Sequence, residues 1–392
     1  MESRARHYLD HAATSWPKPP GSLQACIDFQ THLGAAAGRG VYRNAEESNR
    51  LLQQARASVA RLIHAQERSV AFCGNGTQAL NAAIQGLLRS DTFRECHVVT
   101  TATEHNSVLR PLALLAKSKQ MTWTAVSCNR DGMVDPSNVQ SAMRRNTRLV
   151  IVNHASNVTG AIQDIAAIAA IAHSHHAIFL VDAAQTLGYL PTDVNSQGID
   201  ILAAPGHKGA GGMLGTGILF VREAIQPFLE PLWIGGTGTQ SDSIDGPFDW
   251  LSAVESGNSN LPAIASLKAG VDWVINNSSI GHLNDWTQEI IEAIQRQPSI
   301  RLIGGTKNRM PVISLTSSHA SCHEMAMLLD SACHVEARSG FHCAGLIHEH
   351  LGTQSCGGTL RLSLGHTSTR DDVDAAVRGI ETLAQFAITM GP

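Results

Sequence analysis

Two segments near the middle of the chain are the most informative about its architecture. The first is Ile178-Phe179-Leu180-Val181-Asp182, an apolar run that ends in a carboxylate, and the second runs from Ile201 to Lys208. Short runs rich in β-branched and aromatic residues predict strands that are buried on both faces. The carboxyl ends of parallel strands border the crevice in which α/β proteins bind ligands. Asp182 and Lys208 are therefore expected to face one crevice.

The same alternation extends outward in both directions. Short β-rich runs alternate with longer helical ones, which predicts βαβ units and a large α/β domain with a mainly parallel, seven-stranded sheet. The predicted strands are Ser69–Phe72, His97–Thr100, Thr122–Val126, Leu149–Val152, Ile178–Val181, Ile201–Ala203 and Gly217–Val221. The predicted helices are Leu51–Ile63, Thr77–Leu88, Ser107–Lys117, Pro136–Arg145 and Ile165–His173.

A second, smaller unit is predicted after Arg222, where the pattern changes. Glycine-rich and serine-rich loops lead into a long helix over Pro262–Asn277, which is expected to bridge two domains. From about Arg301 the pattern indicates a small C-terminal α+β domain. Its predicted elements are the strands Val312–Leu315 and Leu360–Ser363 and the helices Ser321–Leu329, opened by the capping pair Ser321 and Glu324, and Asp371–Ala387.

The composition favours an enzyme that acts on a small molecule. Charged residues make up 16% of the chain, against roughly 25% in an average soluble domain, so a partner chain is expected to cover part of the surface. The net charge is −4 and no basic block occurs, which indicates neither nucleic acid nor a membrane as partner. Eight cysteines without a Cys-x-x-Cys pair indicate reduced thiols. Without an apolar leader, a cytoplasmic protein is expected.

Asp182 and Lys208 together suit pyridoxal phosphate. A lysine holds this cofactor as a Schiff base, and a carboxylate keeps its ring nitrogen protonated so that the ring accepts electrons. Two residues alone are explained equally well by an ordinary buried ion pair. The turn Gly74-Asn75-Gly76-Thr77 favours the cofactor, because free N–H groups and the helix dipole at a strand–helix turn suit a phosphate. His105, just past a predicted strand, could stack on the ring or be an ordinary core or surface histidine.

Six motifs, taken in order, resemble those of the class V aminotransferase family. They are Tyr8–Thr14, Thr103–Asn106, Ser156–Gly160, Asp182–Gln185, Gly206–Lys208 and Arg338–Ala344. The chain is similar to the cysteine desulfurase and selenocysteine lyase branch of that family from about Tyr8 to Val373. The resemblance implies the fold-type-I architecture of pyridoxal phosphate-dependent transferases. It also implies three parts: an N-terminal segment (1–20) that packs on the small domain, a large cofactor-binding domain (21–260), and a connecting helix with the small domain (261–392).

The resemblance implies roles around the cofactor ring. Lys208 would form the Schiff base, Asp182 would pair with the ring nitrogen, and Gln185 would donate to the ring hydroxyl. His105 would stack on the ring. Asn157 would lie beside the ring hydroxyl and the substrate carboxylate.

It also implies a phosphate site and a substrate site. Gly76, Thr77 and His207 would hold the phosphate, and Asn258 would reach it across a homodimer interface. Arg361 matches the arginine that binds the substrate carboxylate in this family. A guanidinium suits this task because its fork contacts both carboxylate oxygens.

Cys343 decides the reaction that the resemblance implies. Lys208 would remove the Cα proton of L-cysteine, the Cys343 thiolate would attack the substrate sulfur, and His105 would be a candidate acid. The products would be L-alanine and a persulfide on Cys343, which implies a sulfur-acceptor protein as partner. The alternative on local sequence is that Cys343 is an inert small apolar residue.

Three positions depart from the usual pattern of the family that the chain resembles. Pro205 stands where a hydroxyl residue often helps to hold phosphate, Asn258 where a threonine is common, and Phe341 where a histidine is frequent.

The sequence leaves other functions open. The alternative reactions are cysteine or cystine C–S lysis, selenocysteine lysis and transamination. A further alternative is a zinc-binding interaction protein, suggested by the histidines at 173–176 and 348–350, although no closed four-ligand spacing occurs.

Overall fold

A seven-stranded sheet forms the centre of the larger unit. The structure is a computed structural model that describes residues 6–38, 40–118, 121–236, 249–277 and 280–390. In spatial order the strands are Val70–Cys73, Gly217–Val221, Ile201–Pro205, Ile178–Asp182, Thr147–Asn153, Cys96–Thr101 and Met121–Val126. Only Gly217–Val221 runs against the others within this sheet. The prediction of a mainly parallel α/β sheet is confirmed.

Helices cover both faces of this sheet. Along one central strand, Phe179 and Val181 belong to one buried cluster, whereas Ile178 and Leu180 belong to the cluster on the other side. Alternating side chains that are all buried are the signature of a strand enclosed between two layers. The helices of the larger unit are Ser22–Asp28, Arg43–Leu62, Gly76–Arg89, Asn106–Lys117, Pro136–Ala142, Ile165–Ser174, Trp250–Val254 and Leu261–Asn277.

In the larger unit, two predicted helix boundaries are wrong by three residues or more. The helix predicted over 51–63 begins at Arg43, and its first turns bury only the small side chains of Ala45 and Ser48, which give no apolar period. The helix predicted over 136–145 ends at Ala142. There the Arg144 N–H donates to the Thr147 hydroxyl at 2.7 Å, a local bond that competes with helix continuation.

The helix Leu261–Asn277 packs into the larger unit. Its buried residues Leu261, Ile264, Leu267 and Val271 lie in the same cluster as one face of the central sheet. A Cβ atom at Gly270 would stand 2.5 Å from the carbonyl carbon of Gly211, so glycine is what allows this close approach. The helix thereby supports the loop that follows Lys208.

The smaller unit is built on a four-stranded antiparallel sheet in the order Arg338–Gly340, Thr359–Ser363, Val312–Ser317 and Ile300–Ile303. The predicted capping pair is present: the Ser321 hydroxyl accepts from the Glu324 N–H, and the Glu324 carboxylate accepts from the Ser321 N–H. The strands Ile300–Ile303 and Arg338–Gly340 were not predicted, because they are short and interrupted by polar residues. The helices of this unit are Gly281–Gln295, Cys322–Cys333, Gly345–Leu351 and Arg370–Met390.

The N-terminal segment touches both units. His7–Tyr8 pairs in parallel with Val335–Glu336 of the smaller unit, and Leu9 is buried in that unit's core. A few residues later, the Ser15 N–H donates to the His207 carbonyl of the larger unit at 3.1 Å. The predicted division into three parts stays a prediction. Among the described helices, none has both the length and the apolar character needed to cross a bilayer.

Candidate active site

A cavity of about 270 Å³ lies where the carboxyl ends of the central strands meet the smaller unit. It brings together nearly all the residues singled out in the sequence. Those that line it are Gly76, Thr77, His105, Asn157, Asp182, Gln185, His207, Lys208, Cys343 and Arg361. Asn258 does not line it and instead borders a separate cavity with Gly74 and Gln78. Its proposed contact across a dimer interface stays a prediction.

Asp182 and Lys208 face this one cavity from neighbouring strands. Asp182 ends its strand and is buried, and its Oδ1 accepts from the Ala184 N–H at 2.9 Å. Burial raises the pKa of Asp182, against an opposing effect of Lys208. Burial, with a smaller contribution from Arg361, lowers the pKa of Lys208 to about 8. The site therefore disfavours the charged form of both groups, and within the described residues Asp182 forms no ion pair.

The strand–helix turn at Gly76 lies close to the segment that precedes Lys208. Asn75 caps the helix Gly76–Arg89 by accepting from the Gln78 N–H at 2.9 Å. A Cβ atom at Gly76 would lie 3.0 Å from the Pro205 ring, so a larger residue would push these two segments apart. The N–H groups in the first turn of a helix lack helical partners and attract anions.

His105 caps the next helix, Asn106–Lys117. Its Nδ1 accepts from the Ser107 N–H at 3.0 Å, so the proton of the neutral ring lies on Nε2. Burial, with the Lys208 charge adding to it, lowers the pKa of His105 to about 4. The Ser107 hydroxyl also contacts the Thr77 hydroxyl at 2.8 Å. Sequence reasoning missed Ser107, although a serine two residues past His105 at a helix start is a recognisable capping signal.

Cys343 lies in a turn that is fastened to the larger unit. The Asn106 N–H donates to the Cys343 carbonyl at 2.7 Å, and Asn157 Nδ2 donates to the His342 carbonyl at 2.6 Å. His342 and Cys343 have φ values of +49° and +59°, in the left-handed region that non-glycine residues rarely adopt. Cys343 is exposed and lines the cavity. The Cys343 turn is thus held against the start of the helix that His105 caps, by contacts between distant segments.

Arg361 lines the same cavity and is buried, only 2% exposed. Its Nη1 donates to the Asn157 carbonyl at 3.1 Å, and its Nη2 forms an ion pair with Asp10 at 2.5 Å. Its Nε is buried without a hydrogen-bond acceptor among the described residues. Burial lowers the pKa of Arg361, and Asp10 acts in the opposite direction. Sequence reasoning gave Asp10 no role, although it lies within one of the motifs.

Two further site residues, His207 and Gln185, contact the N-terminal segment, and a third, Asn157, keeps one polar atom without a hydrogen-bond partner among the described residues. His207 Nδ1 lies 3.0 Å from the Thr14 hydroxyl, and burial lowers the pKa of His207 to about 4. Gln185 Nε2 donates to the Ala12 carbonyl at 3.1 Å. Asn157 Oδ1 is buried without a donor in the described part of the chain.

Two of the histidines that suggested zinc have side-chain partners within the protein. His173 pairs with Asp200 at 2.9 Å, and His348 contacts the Thr353 hydroxyl at 2.7 Å. Over the described ranges, no three His, Cys, Asp or Glu side chains are grouped so that they could hold a metal ion.

The sheet topology, with a lysine and a buried acid at its edge and a second unit closing the cavity, defines an α/β enzyme of fold type I. The chain belongs to the class V aminotransferase family, whose model matches residues 7–376. Enzymes of this family use pyridoxal phosphate. The predicted family and fold class are thereby confirmed.

Similar proteins agree with this assignment over nearly the full length. A probable cysteine desulfurase of Methanothermobacter thermautotrophicus is 33% identical over 96% of this chain and 94% of the relative. The cysteine desulfurase IscS of Methanosarcina thermophila is 27% identical over 98% and 93% of the two chains. The apo structure of a cysteine desulfurase from Thermococcus onnurineus is 28% identical, with a TM-score of 0.89 over 97% of this chain and 94% of that chain.

Proposed function

We propose that this chain is a pyridoxal phosphate-dependent cysteine desulfurase, which converts L-cysteine to L-alanine and leaves the sulfur as a persulfide on Cys343. The observation that carries the proposal is the content of one cavity: an amine, a buried acid, a buried guanidinium and an exposed thiol. The desulfurase names of the relatives support the same choice of reaction.

The cavity residues fit the cofactor. Lys208 would bind it through the amine, Asp182 and Gln185 would contact the ring, and Gly76, Thr77 and His207 would hold the phosphate, with Asn258 supplied by a partner subunit. The buried Asp182 carboxylate needs a cationic partner, and a protonated ring nitrogen is one. When bound, the cofactor supplies an electron-accepting ring next to Cα of the substrate.

Lys208 and Arg361 would divide the handling of the substrate. A lysine with a pKa of about 8 has a neutral fraction near physiological pH, so its amine can accept the Cα proton. The Arg361 guanidinium, with Asn157 beside it, would hold the substrate carboxylate by a two-point contact. Fixing the carboxylate orients the Cα–H bond toward Lys208.

Cys343 would then take the sulfur. Its thiolate forms a bond to the substrate sulfur while the bond between that sulfur and Cβ breaks, and protonation of the carbon fragment gives alanine. His105 carries a proton on Nε2 and lies beside the Cys343 turn, which makes it the candidate donor. The exposed position of Cys343 leaves the persulfide within reach of a sulfur-acceptor protein.

A homodimer in a reducing compartment such as the cytoplasm completes the proposal. Large apolar side chains are exposed, among them Val41 at 92% and Ile234 at 80%, which a second copy would cover. Asn258 borders a separate cavity and not the active-site cavity of its own chain, as expected for a residue supplied to a partner subunit. All eight cysteines are free thiols.

Product analysis tests the reaction. The holoenzyme is given L-cysteine, cystine and selenocysteine in turn, and alanine, pyruvate and sulfide are measured together. We expect alanine from L-cysteine, lost in Cys343→Ser and kept in Cys356→Ser, a matched control because Cys356 is also exposed but does not line the cavity. Pyruvate as the main product, or full activity in Cys343→Ser, would favour C–S lysis instead.

A further inference from the structure

One short N-terminal stretch connects the two ends of the proposed substrate site. Asp10 forms a β-bridge with Ser363, two residues beyond Arg361. Further along the same stretch, the Lys18 ammonium donates to the His207 carbonyl at 2.7 Å, immediately before Lys208. The residue proposed to bind the substrate carboxylate and the residue proposed to take its Cα proton are thus tied to the same stretch, 10–18.

Asp10 is itself held in place. The Tyr8 hydroxyl donates to the Asp10 carbonyl at 3.2 Å, and the Ala13 N–H donates to it at 3.0 Å. The Asp10 side chain is short and 21% exposed, and it meets an arginine side chain that is 2% exposed. An aspartate on a fixed backbone has only two rotatable side-chain bonds and therefore few alternative positions, so it acts as a fixed anchor for the guanidinium.

The pairing leaves one part of the guanidinium unused. Asp10 holds Nη2 and the Asn157 carbonyl holds Nη1, whereas Nε is buried with no acceptor in the described part of the chain. A buried donor without an acceptor is unfavourable until a ligand supplies one. Arg361 lines the cavity, so a carboxylate that enters can satisfy Nε together with the second hydrogen of a neighbouring nitrogen.

We propose that Asp10 is a positioning residue for substrate selection: it fixes the plane of Arg361 so that the free donors meet a ligand carboxylate. The proposal rests on the proposed role of Arg361. Asp10 also offsets part of the guanidinium charge. An anion that makes a single hydrogen bond to Arg361 should therefore bind weakly, and a carboxylate that makes two hydrogen bonds should bind most tightly.

The test compares two ligands that differ only in the carboxylate, L-alanine and ethylamine. Each is titrated into cofactor-loaded wild-type protein and into Asp10→Ala, Asp10→Ser and Asp10→Asn, and binding is followed by the visible absorption of the bound cofactor. Both truncations should weaken L-alanine binding by about tenfold or more and ethylamine binding by less than about twofold. Asp10→Asn keeps an acceptor for Nη2 and should stay within about threefold of wild type for L-alanine.

Two controls separate positioning from a general structural effect. Glu336→Ala removes another carboxylate–arginine pair of the N-terminal segment, with Arg6 at 2.6 Å, and should change neither titration. Thermal unfolding of each variant reports whether the fold is kept. The KM for L-cysteine should rise in the truncations more than kcat falls.

Three results would overturn the proposal. They are L-alanine binding within twofold of wild type in the truncations, equal weakening of both ligands, or an Asp10→Asn variant as impaired as the truncations. Failure of the desulfurase proposal is seen separately, because a wild-type protein that forms no alanine from L-cysteine still gives both titrations.

Discussion

The two sides of the active-site cavity are built in different ways. One side, the sheet edge formed by Gly76, Asp182 and Lys208, consists of residues that lie at the ends of buried strands or at the turn that follows one. The other side, the substrate wall formed by Cys343 and by Arg361 with its partner Asp10, depends on contacts between residues far apart in the chain. Burial governs the chemistry of the sheet edge, and hydrogen-bonded positioning governs the substrate wall.

This difference matters for how each side responds to change. At the sheet edge, burial raises the pKa of Asp182 and lowers the pKa of Lys208, which favours the neutral form of both side chains. On the substrate wall, Arg361 remains charged and is held by an ion pair and a carbonyl. Variants of the sheet edge should therefore change proton transfer and cofactor binding, and variants of the substrate wall should change substrate affinity.

The largest effect is expected at Lys208. Lys208→Ala removes both the covalent attachment of the cofactor and the proposed base, so alanine formation should fall by about 10⁴-fold or more. The visible absorption of the bound cofactor should change with it. Lys268→Ala, at a lysine paired with Asp272 and away from the cavity, is the control. An unchanged spectrum in Lys208→Ala would contradict the cofactor assignment.

The next largest effect is expected on the substrate wall. Arg361→Lys loses the fork that contacts Asp10 and Asn157 together, so the KM for L-cysteine should rise by about 100-fold. Steady-state kinetics measures this, with Arg370→Lys as the control at a surface pair with Glu289. A KM equal to that of wild type would remove Arg361 from the substrate site.

A pH effect is expected from His105. Burial lowers its pKa from an ordinary value of 6.5 to about 4 in the folded chain. Between these two pH values His105 is protonated in the unfolded chain and neutral in the folded chain. The free energy of unfolding should therefore fall as the pH drops from 6.5 to 4, with His105 contributing about 3 kcal/mol at most.

Urea denaturation of the cofactor-free protein at several pH values measures this contribution. Other buried histidines act in the same direction, so the prediction concerns the difference between variants. His105→Gln should show a shallower pH dependence than wild type, and replacement of the exposed His350 by glutamine should not. Identical slopes for His105→Gln and wild type would contradict the assigned burial effect.

The smallest effect is expected at Pro205, which packs against Gly76 at the proposed phosphate site. Proline offers neither a side-chain donor nor an N–H, so Pro205→Ser adds a donor. One additional hydrogen bond contributes about 1 kcal/mol, which corresponds to a roughly fivefold lower Kd for the cofactor. Titration of the cofactor-free protein gives this value, and weaker binding in Pro205→Ser would show that the proline ring is needed for packing.

The same contrast explains what could be predicted from the sequence. Strand Gly217–Val221 has its predicted bounds, and the buried run before Asp182 identified the sheet edge, because hydrophobic period and strand ends are local properties. The Asp10–Arg361 pair and the bond from Asn106 to Cys343 were not predicted, because they form only when segments hundreds of residues apart meet. The start of the helix at Arg43 was missed because small buried residues leave no apolar signal.

Mass spectrometry of the Cys343 peptide is the most direct measurement of persulfide formation on this residue. The holoenzyme is mixed with one equivalent of L-cysteine, quenched, and digested without reductant by a protease that cleaves after glutamate, because Glu349 separates Cys343 from Cys356 and no lysine or arginine does. We expect the Cys343 peptide to gain the mass of one sulfur atom, while the Cys356 peptide is unchanged and an equal amount of L-alanine appears. An unmodified Cys343 peptide from a sample in which L-cysteine has been consumed would contradict this expectation.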